Sequence, residues 1–207
     1  MASDSDHTIK SFTRLWRLIE ERTKVGADIA AIDQRIWDLF GDDWAIMLTD
    51  LAGFSRQVAT FGITHFLQVI YEQQKLLLPI VEAHDGILVK SEADSFLILF
   101  KEPARALACA IAMQRACTGI NARRANEEHV ILCVGIGHGR VLKIGDEDVF
   151  GHEVNLASKL GEDIARGTEI LLSPAARVAV GEVASIVWEE VAQEYVGEHR
   201  YWRASYT

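Results

Sequence analysis

The chain has 207 residues, of which 49% are hydrophobic and 25% are charged. This length and composition are typical of one globular domain with an extension, and they leave too little chain for two full domains. The formal net charge of -9 argues against sequence-independent nucleic-acid binding, because such binding needs a basic face that displaces counterions.

The cysteine pattern and the N-terminus predict a location. Cys109, Cys117 and Cys133 are odd in number and lack metal-type spacing, which favours a reducing compartment. The first residues, MASDSDHTIK, contain no apolar signal core, and no stretch approaches the roughly 20 apolar residues of a membrane span. We therefore predict a cytoplasmic protein with no membrane insertion in this chain; a cytoplasmic piece of a larger membrane receptor is the alternative.

Apolar residues recur at helical spacing twice between residues 8 and 41, with KVGAD as a break between two helices. The first set is Ile9, Phe12, Trp16 and Ile19. Its spacing suits a short parallel coiled coil, although it covers fewer than three heptads. Two helices packed on the following domain are an equal alternative.

Strands and helices then alternate along the chain. The predicted elements are the strand WAIMLTD (44–50), the turn LAGFS, an amphipathic helix from Gly62 to Ala83, the strands ILVKSE and SFLILF joined by a hairpin at Ala93-Asp94, a helix from Pro103 to about Cys117, a polar loop at 119–129, and the strand HVILCVGIGHG. The order β-α-β-β-α-β is that of a ferredoxin-like unit, with both helices on one face of an antiparallel sheet.

The rest of the chain is predicted to extend this core. It supplies strands near 140–150, a helix from about 152 to 165, the strand TEILLS, a short helix and a terminal strand pair near 186–204. The predicted fold class is α+β, with a ferredoxin-like βαββαβ core, additional C-terminal strands and helices, and N-terminal helices before it. We assign residues 1–43 to the helical extension and residues 44–207 to the core domain.

Two aspartates are predicted to meet at one end of the sheet. Asp50 ends the first strand and Asp94 lies in the hairpin, and these points are neighbours in a ferredoxin-like sheet. Converging carboxylates repel unless a cation lies between them, and Mg²⁺ or Mn²⁺ suits oxygen ligands. Taken singly, Asp50 can cap the next turn and Asp94 can favour a tight hairpin. Together they favour a metal site, and Gly53 allows close backbone approach to a phosphate.

A second polar cluster lies in DVFGHEVNLASKLGEDIA, residues 148–165. Asn155 and Lys159 are four residues apart on the predicted helix and share one face. An ordinary solvated pair is the simpler interpretation of these two residues alone. Upstream, GIGHGRV ends a strand in glycines and places Arg140 where a guanidinium can contact phosphate, although the glycines alone are a weak signal.

Four motifs, in order and approximate spacing, resemble the class III nucleotidyl cyclases, whose catalytic domains include bacterial and animal adenylyl cyclases. They are TDLAGFS, KSEADSFLILF, GIGHGRV and DVFGHEVNLASKLGEDIA, and the resemblance spans about Trp44 to Ser173. Four ordered motifs are more specific than any one of them. The resemblance implies an adenylate cyclase that converts ATP to 3′,5′-cyclic AMP and pyrophosphate in intracellular signalling.

By this resemblance, Asp50 and Asp94 bind two divalent cations, Mg²⁺ or Mn²⁺, with the Leu51 carbonyl as an extra ligand. Gly53 and Phe54 in the following turn are assigned to substrate binding. Two metal ions can activate the ribose 3′-oxygen for in-line attack on the α-phosphorus and can neutralise the leaving pyrophosphate.

The resemblance also assigns the base and the ribose. Lys90 matches the lysine that reads adenine, and Asp148 matches its partner that accepts from the adenine amino group. Asn155 matches the ribose-orienting asparagine, and Arg140 a triphosphate-contacting arginine. Lys159 stands where the family usually has a catalytic arginine. A lysine donor and an aspartate acceptor match adenine, whereas guanine presents the reverse pattern, so ATP is preferred over GTP.

Family members work as dimers with sites shared between subunits. The predicted partners are therefore ATP and a second copy of the chain, and nucleic acid is not a predicted partner. The residues of one subunit are Asp50, Asp94 and Arg140, and those of the other are Lys90, Asp148, Asn155 and Lys159.

Three departures from the family pattern keep an alternative open. Lys159 lacks the planar fork of arginine, which predicts slower turnover, and Ala93 replaces the usual glycine before the second metal aspartate. The segment QEYVGEHRYW offers only His199 and Arg200 where the family has a phosphate-binding lysine. The alternative is a catalytically silent domain that binds nucleotide or acts as a dimerising signalling module. The missing GGDEF hairpin disfavours a diguanylate cyclase, and the charge and small size disfavour a polymerase palm.

Overall fold

The computed structural model describes residues 4–193 and 199–206, without the side chains of residues 4–10, 54–57, 192, 193 and 199. The strands are β1 (Gly41–Leu51), β2 (Ile87–Glu92), β3 (Ser95–Phe100), β4 (Leu132–Ile144), β5 (Asp148–Phe150), β6 (Ile170–Leu172), β7 (Ile186–Gln193) and β8 (His199–Tyr206). The α-helices are α1 (Asp4–Arg22), α2 (Ile29–Phe40), α3 (Phe54–Phe61), α4 (Ile63–Ala83), α5 (Pro103–Asn121), α6 (His152–Ser158) and α7 (Pro174–Val180). A 3₁₀ turn covers Asn126–Glu128 and a π-helical turn covers Lys159–Ile164. Across these described residues, no helix combines the length and apolar character needed to cross a bilayer.

One sheet joins all these strands. Its order is β2-β3-β1-β4-β6-β8-β7, and β5 pairs with β4. Neighbouring strands are antiparallel except for β4 and β6, which are parallel. The order β2-β3-β1-β4 is the ferredoxin-like core, which confirms the predicted α+β fold class.

The two faces of the sheet are both covered. Alternate residues of β1 such as Met47 pack against the side that holds α4, α5 and α7. Ile46 and Leu48 point the other way, toward Ala157 of α6. Strand side chains alternate between faces, so β1 must be apolar along most of its length. Each fully buried large apolar side chain contributes about 1.5–3 kcal/mol.

The N-terminal helices pack on the domain, at the end of β4 that contains Ile144, as in the predicted alternative to a coiled coil. Leu15 and Leu18 of α1 are buried with Ile36 of α2 and Ile144 of β4. Trp16, which the spacing predicts on the buried face, is 59% exposed, because Leu15 and Leu18 face α2 instead. The side chain of Ile9, in the same predicted set, lies outside the described part.

Several predicted boundaries differ from the structure. β1 begins at Gly41 rather than at Trp44, and β4 covers Leu132–Ile144 rather than residues 129–139. The turn LAGFS is short, because Gly53 has φ 86° and α3 begins at the next residue. The helix predicted to end near Cys117 continues to Asn121. The predicted helix 152–165 becomes π-helical from Lys159 onward. There, a Cβ on Gly161 would stand 2.8 Å from the Leu48 carbonyl oxygen, so this turn lies directly on the sheet backbone.

The glycines of GIGHG allow α6 to touch the backbone of β4. A Cβ added to Gly135 would stand 2.1 Å from the carbonyl oxygen of Ala157, and one on Gly137 would stand 2.4 Å from that of Glu153. Real Cβ atoms do not approach backbone oxygens so closely. These glycines are therefore explained by helix packing rather than by phosphate binding.

We expect Gly135→Ala to destabilise the domain by about 3 kcal/mol, at the upper end of what overpacking costs. The two atoms nearest to the added Cβ, the Ala157 carbonyl oxygen and the Gly161 nitrogen, belong to the backbone and cannot move aside as a flexible side chain can. Urea unfolding measures this change. Gly119→Ala on α5 is the control, since its Cβ would enter open space, and helix propensity predicts a gain of about 0.5–1 kcal/mol. Equal stabilities for the two variants would contradict the close packing of α6.

Candidate active site

Asp50 and Asp94 come together at one end of the sheet. The pairing of β1 with β3 runs to Thr49 and Phe96, so Asp50 lies next to Ser95, the first residue of β3. The Ser95 hydroxyl donates a hydrogen bond of 3.3 Å to Asp50 Oδ1. Asp94 immediately precedes Ser95 in the hairpin turn. The structure thus brings together the two aspartates that the strand order predicted to meet.

Burial raises the pKa values of both carboxyl groups, and nearby negative charges add to the effect. Asp94 is only 6% exposed, and its Oδ2 atom has no hydrogen-bond partner among the described residues. Burial, followed by the charge of Asp94, raises the pKa of Asp50 to about 6. Burial also raises the pKa of Asp94, and the charge of Glu162 on the π-helical turn adds to it. A buried, unpaired carboxylate oxygen beside a second carboxylate fits a divalent cation.

Other ligands would have to complete such a site. Among residues 4–193 and 199–206, no group of three or more His, Cys, Asp or Glu side chains is placed to hold a metal ion. Backbone carbonyls, water or phosphate oxygens are the remaining hard ligands. The Leu51 carbonyl stays a predicted ligand, and the Leu51 N–H beside the two carboxyls partly lowers the pKa of each.

The turn after β1 is open to a ligand. Gly53 is exposed and has left-handed backbone geometry, which a residue with a side chain adopts less readily. Phe54 begins α3, and its side chain lies outside the described part. Substrate contacts by Gly53 and Phe54 therefore remain predictions.

Lys90 and Asp148 form a direct ion pair. Lys90 Nζ lies 2.8 Å from Asp148 Oδ2, and the side chains are 35% and 18% exposed. Asp148 Oδ1 accepts a hydrogen bond of 2.8 Å from the backbone N–H of Val149. Lys90 lies on β2 and Asp148 lies on β5, and these two strands do not pair with each other. β5 begins 56 positions after the end of β2, so the residues are also distant in sequence. The structure thus joins a donor and an acceptor that sequence reasoning assigned to one base.

Asn155 and Lys159 remain free at the surface of α6 and the π-helical turn. Asn155 is exposed and Lys159 is half-buried, and neither side chain has a hydrogen bond or ion pair within the described residues. Glu153 anchors the helix beneath them, because its Oε2 accepts from the Ser173 hydroxyl at 2.6 Å and from the His138 N–H at 3.1 Å. The anchoring leaves the two predicted polar residues available to a ligand or to a second copy of the chain.

The candidate residues lie on the same side of the sheet as α6. Asp50 continues the alternation of Ile46 and Leu48, which face α6. Lys90 is the register partner of Leu97, whose side chain belongs to the same cluster. Side chains of register partners point to the same face. The acidic pair, the ion pair and the polar residues of α6 therefore share one face.

Arg140 is not brought to the acidic pair within the chain. It is the register partner of Asp43, near the start of β1, whereas Asp50 lies near the end of that strand. At about 3.3 Å per strand residue, the two positions are roughly 20 Å apart. The exposed guanidinium carbon of Arg140 lies 5.1 Å from the ring centre of Trp37. Register, which the motif alone does not give, accounts for this separation, and a phosphate contact by Arg140 stays a prediction.

Sequence reasoning missed two residues beside the acidic pair. Glu162 lies within the predicted helix 152–165 as one of its polar residues, yet its charge acts on Asp94. Gln73 of α4 is fully buried and donates a hydrogen bond of 2.9 Å to the backbone carbonyl of Asp94. A glutamine on the apolar face of a helix was the available signal for Gln73. For Glu162, no such signal existed before the π-helical turn was known.

The C-terminal segment QEYVGEHRYW, which lacks the family's phosphate-binding lysine, lies partly outside the described residues. Residues 194–198 and the side chain of His199 are not described. Arg200 lies on β8, where its Nη1 atom is 3.3 Å from Glu190 Oε1. A phosphate contact in this segment is therefore not part of the site described above.

The raised pKa of Asp50 predicts a pH dependence of stability. Because the folded pKa of about 6 is above the ordinary 3.8, the folded protein holds this proton more tightly than the unfolded chain. The resulting stability is present below the ordinary pKa and is lost as pH rises through about 6. Urea unfolding in a chelator, from about pH 4 to about pH 7.5, should show this loss. Asp50→Asn should flatten it, whereas Asp163→Asn, an exposed control, should not; an unchanged pH profile in Asp50→Asn would contradict the assignment.

Several known proteins share part of this sequence or its fold. A Rhizobium meliloti (strain 1021) protein named "Putative adenylate cyclase 3" is 28% identical over 116 residues, which is 56% of this chain and 20% of that protein. The chain thus spans about a fifth of that relative's length. A solved "Adenylate/Guanylate Cyclase/Hydrolase" from Silicibacter pomeroyi is 26% identical, with a TM-score of 0.66 over 79% of this chain and 96% of that one. The adenylyl cyclase CyaB from P. aeruginosa has the same fold, with 19% identity and a TM-score of 0.68 over 81% and 95% of the chains.

A family model covers most of the sequence. Residues 40–196 match the model described as "Adenylate and Guanylate cyclase catalytic domain". The match includes both aspartates, the ion pair and the polar residues of α6. This chain belongs to the family of adenylate and guanylate cyclase catalytic domains.

Proposed function

We propose that this chain is an adenylate cyclase, which converts ATP to 3′,5′-cyclic AMP and pyrophosphate. The observation that carries the proposal is the buried pair of Asp50 and Asp94, in which Asp94 Oδ2 has no partner among the described residues. A structural role would not require two like charges in contact at a sheet end, because burying them costs stability. A role in holding cations against a triphosphate accounts for that cost.

Cyclases of this family generally use divalent metal ions. Asp50 and Asp94 would hold two such ions, Mg²⁺ or Mn²⁺, and the Leu51 carbonyl is the proposed further ligand. When bound, the ions would activate the ribose 3′-oxygen and stabilise charge on the leaving pyrophosphate. The chain's own contribution is to keep the two carboxylates together: Ser95 donates to Asp50, and strand pairing fixes the hairpin beside β1.

Lys90 and Asp148 would select adenine. Their ion pair places an N–H donor beside a carboxylate acceptor, which suits the adenine ring nitrogen and its amino group. In guanine, a ring N–H would face the Lys90 ammonium, which is also a donor, and a carbonyl oxygen would face the Asp148 carboxylate, which is also an acceptor. A site built for specific hydrogen bonds can reject such a substrate by up to about 10⁴-fold. Asn155 would orient the ribose, and Lys159 would act on the phosphates.

A second copy of the chain would complete each site. Ile87, Leu88 and Phe150 are exposed on the strands that carry Lys90 and Asp148. Exposed apolar residues beside polar ones are typical of a protein interface. In the proposed homodimer, Asp50 and Asp94 of one subunit face the base-reading and α6 residues of the other. Arg140 is kept only as a predicted phosphate contact.

Lys159 predicts a slow enzyme. Its ammonium carries the charge of the usual arginine but cannot grip two phosphate oxygens with one planar group. The proposed setting is intracellular signalling in the cytoplasm. A silent nucleotide-binding or dimerising domain is the other candidate, and the same departure at Lys159 favours it.

The purified chain should form cyclic AMP and pyrophosphate from ATP with Mn²⁺ or Mg²⁺, and should form much less cyclic GMP from GTP. Asp50→Asn and Asp94→Asn should each lower the rate by about 100-fold or more, because each removes a ligand charge worth several kcal/mol. Asp163→Asn, an exposed carboxylate on the π-helical turn, is the matched control. Nucleotide binding without product would support the silent domain, and cyclic GMP as the main product would contradict the base assignment.

Complementation should reveal sites shared between subunits. Asp50→Ala and Lys90→Ala chains should each be nearly inactive alone. When mixed, they should regain about a quarter of the wild-type activity per chain, because half of the dimers are mixed and each of these has one intact site. Two Asp50→Ala preparations mixed with each other are the control. If mixing restores no activity, each site belongs to a single chain.

A further inference from the structure

Gln73 is a polar residue in an apolar position. It lies on α4 among the buried residues Val69, Ile70, Leu77 and Val81, which form the core-facing side of that helix. Its side chain is fully buried, and its Oε1 atom has no hydrogen-bond partner among the described residues. An unpaired buried carbonyl costs stability, and a leucine or methionine would fill this space without that cost. The position therefore calls for a specific explanation.

The hydrogen bond made by the Nε2 atom of Gln73 supplies this explanation. Its Nε2 atom donates a hydrogen bond of 2.9 Å to the backbone carbonyl of Asp94. Asp94 lies in a tight turn after Ala93, whose φ of 49° is unfavourable for a residue with a side chain. Holding the Asp94 carbonyl fixes the peptide plane on one side of that residue. The direction in which the Asp94 carboxylate leaves the backbone is thereby restricted.

We propose that Gln73 is a positioning residue for the metal site: it holds the Asp94 backbone from the α4 side, so that the Asp94 carboxylate stays beside Asp50 on the opposite side. This inference rests on the proposed function, because it assumes that the two carboxylates bind metal. The inference goes beyond the proposed function by assigning a role to a residue that touches neither metal nor nucleotide. Partners that orient a metal ligand typically change metal affinity by about 10–100-fold when they are removed.

A second buried glutamine provides a matched control. Gln114 of α5 is buried, and its Nε2 donates a hydrogen bond of 2.9 Å to the Leu132 carbonyl. That carbonyl also accepts from the Thr168 N–H at 2.8 Å, so it keeps a partner when Gln114 is removed. Gln73 and Gln114 thus make the same kind of bond from neighbouring helices. Only Gln73 bonds to the backbone of a proposed metal ligand.

The test compares Gln73→Met with Gln114→Met in the full chain. Mn²⁺ binding is measured by electron paramagnetic resonance of the free ion in the presence of 3′-deoxy-ATP, which lacks the attacking hydroxyl. Thermal unfolding of the same samples measures the loss of stability. We expect Gln73→Met to bind Mn²⁺ about tenfold or more weakly, and Gln114→Met to stay within about twofold of wild type. Equal Mn²⁺ affinities in the two variants would overturn the positioning role.

Asp94→Asn separates this inference from the proposed function. If the wild type binds Mn²⁺ no better than Asp94→Asn does, the metal site itself is wrong and the role of Gln73 falls with it. If Asp94→Asn abolishes binding but Gln73→Met does not weaken it, only the role of Gln73 is wrong. Should Gln73→Met not fold, Gln73→Asn keeps the polar amide but is too short for the same bond, and the same loss of Mn²⁺ affinity is expected.

Discussion

The repulsion between the carboxylates of Asp50 and Asp94 is the constraint on which the proposed site depends. Two like charges near a sheet end stay together only if the surrounding structure prevents them from separating. Here that structure is the antiparallel register of β1 with β3, together with the hydrogen bond from the Ser95 hydroxyl to Asp50. Strand pairing alone would not favour this arrangement. The free-energy cost of this repulsion is offset by the core on the other side of the sheet, where these strands bury their apolar residues.

A second feature, the close contact of α6 with β4, determines which polar groups remain free. Gly135 and Gly137 allow the helix backbone to lie on the strand, and Glu153 is hydrogen-bonded beneath it. Asn155 and Lys159 are left on the outer side without partners among the described residues. The glycines and the free polar residues are thus two consequences of the same packing.

Much of this fold follows from local patterns, and the exceptions have physical reasons. Alternating and helical periodicities predict the strands, the long helices and the meeting of Asp50 with Asp94, because strand order fixes which ends are neighbours. The distance of Arg140 from that pair depends on the register of β4, which a motif does not contain. The π-helical turn depends on contact between Gly161 and the sheet backbone. The bond from Gln73 to Asp94 is a tertiary contact between distant segments.

The ion pair of Lys90 with Asp148 raises the question of how it could read a base while each residue already has a partner. A lysine ammonium has three N–H donors, and each carboxylate oxygen has two acceptor positions. Asp148 uses one oxygen for Lys90 and the other for the Val149 N–H, so both oxygens keep an acceptor position. In the proposed site, adenine would therefore bind along the edge of the pair without separating its charges. Guanine would place its N–H against the ammonium and its carbonyl against the carboxylate, so the intact pair would itself disfavour that base.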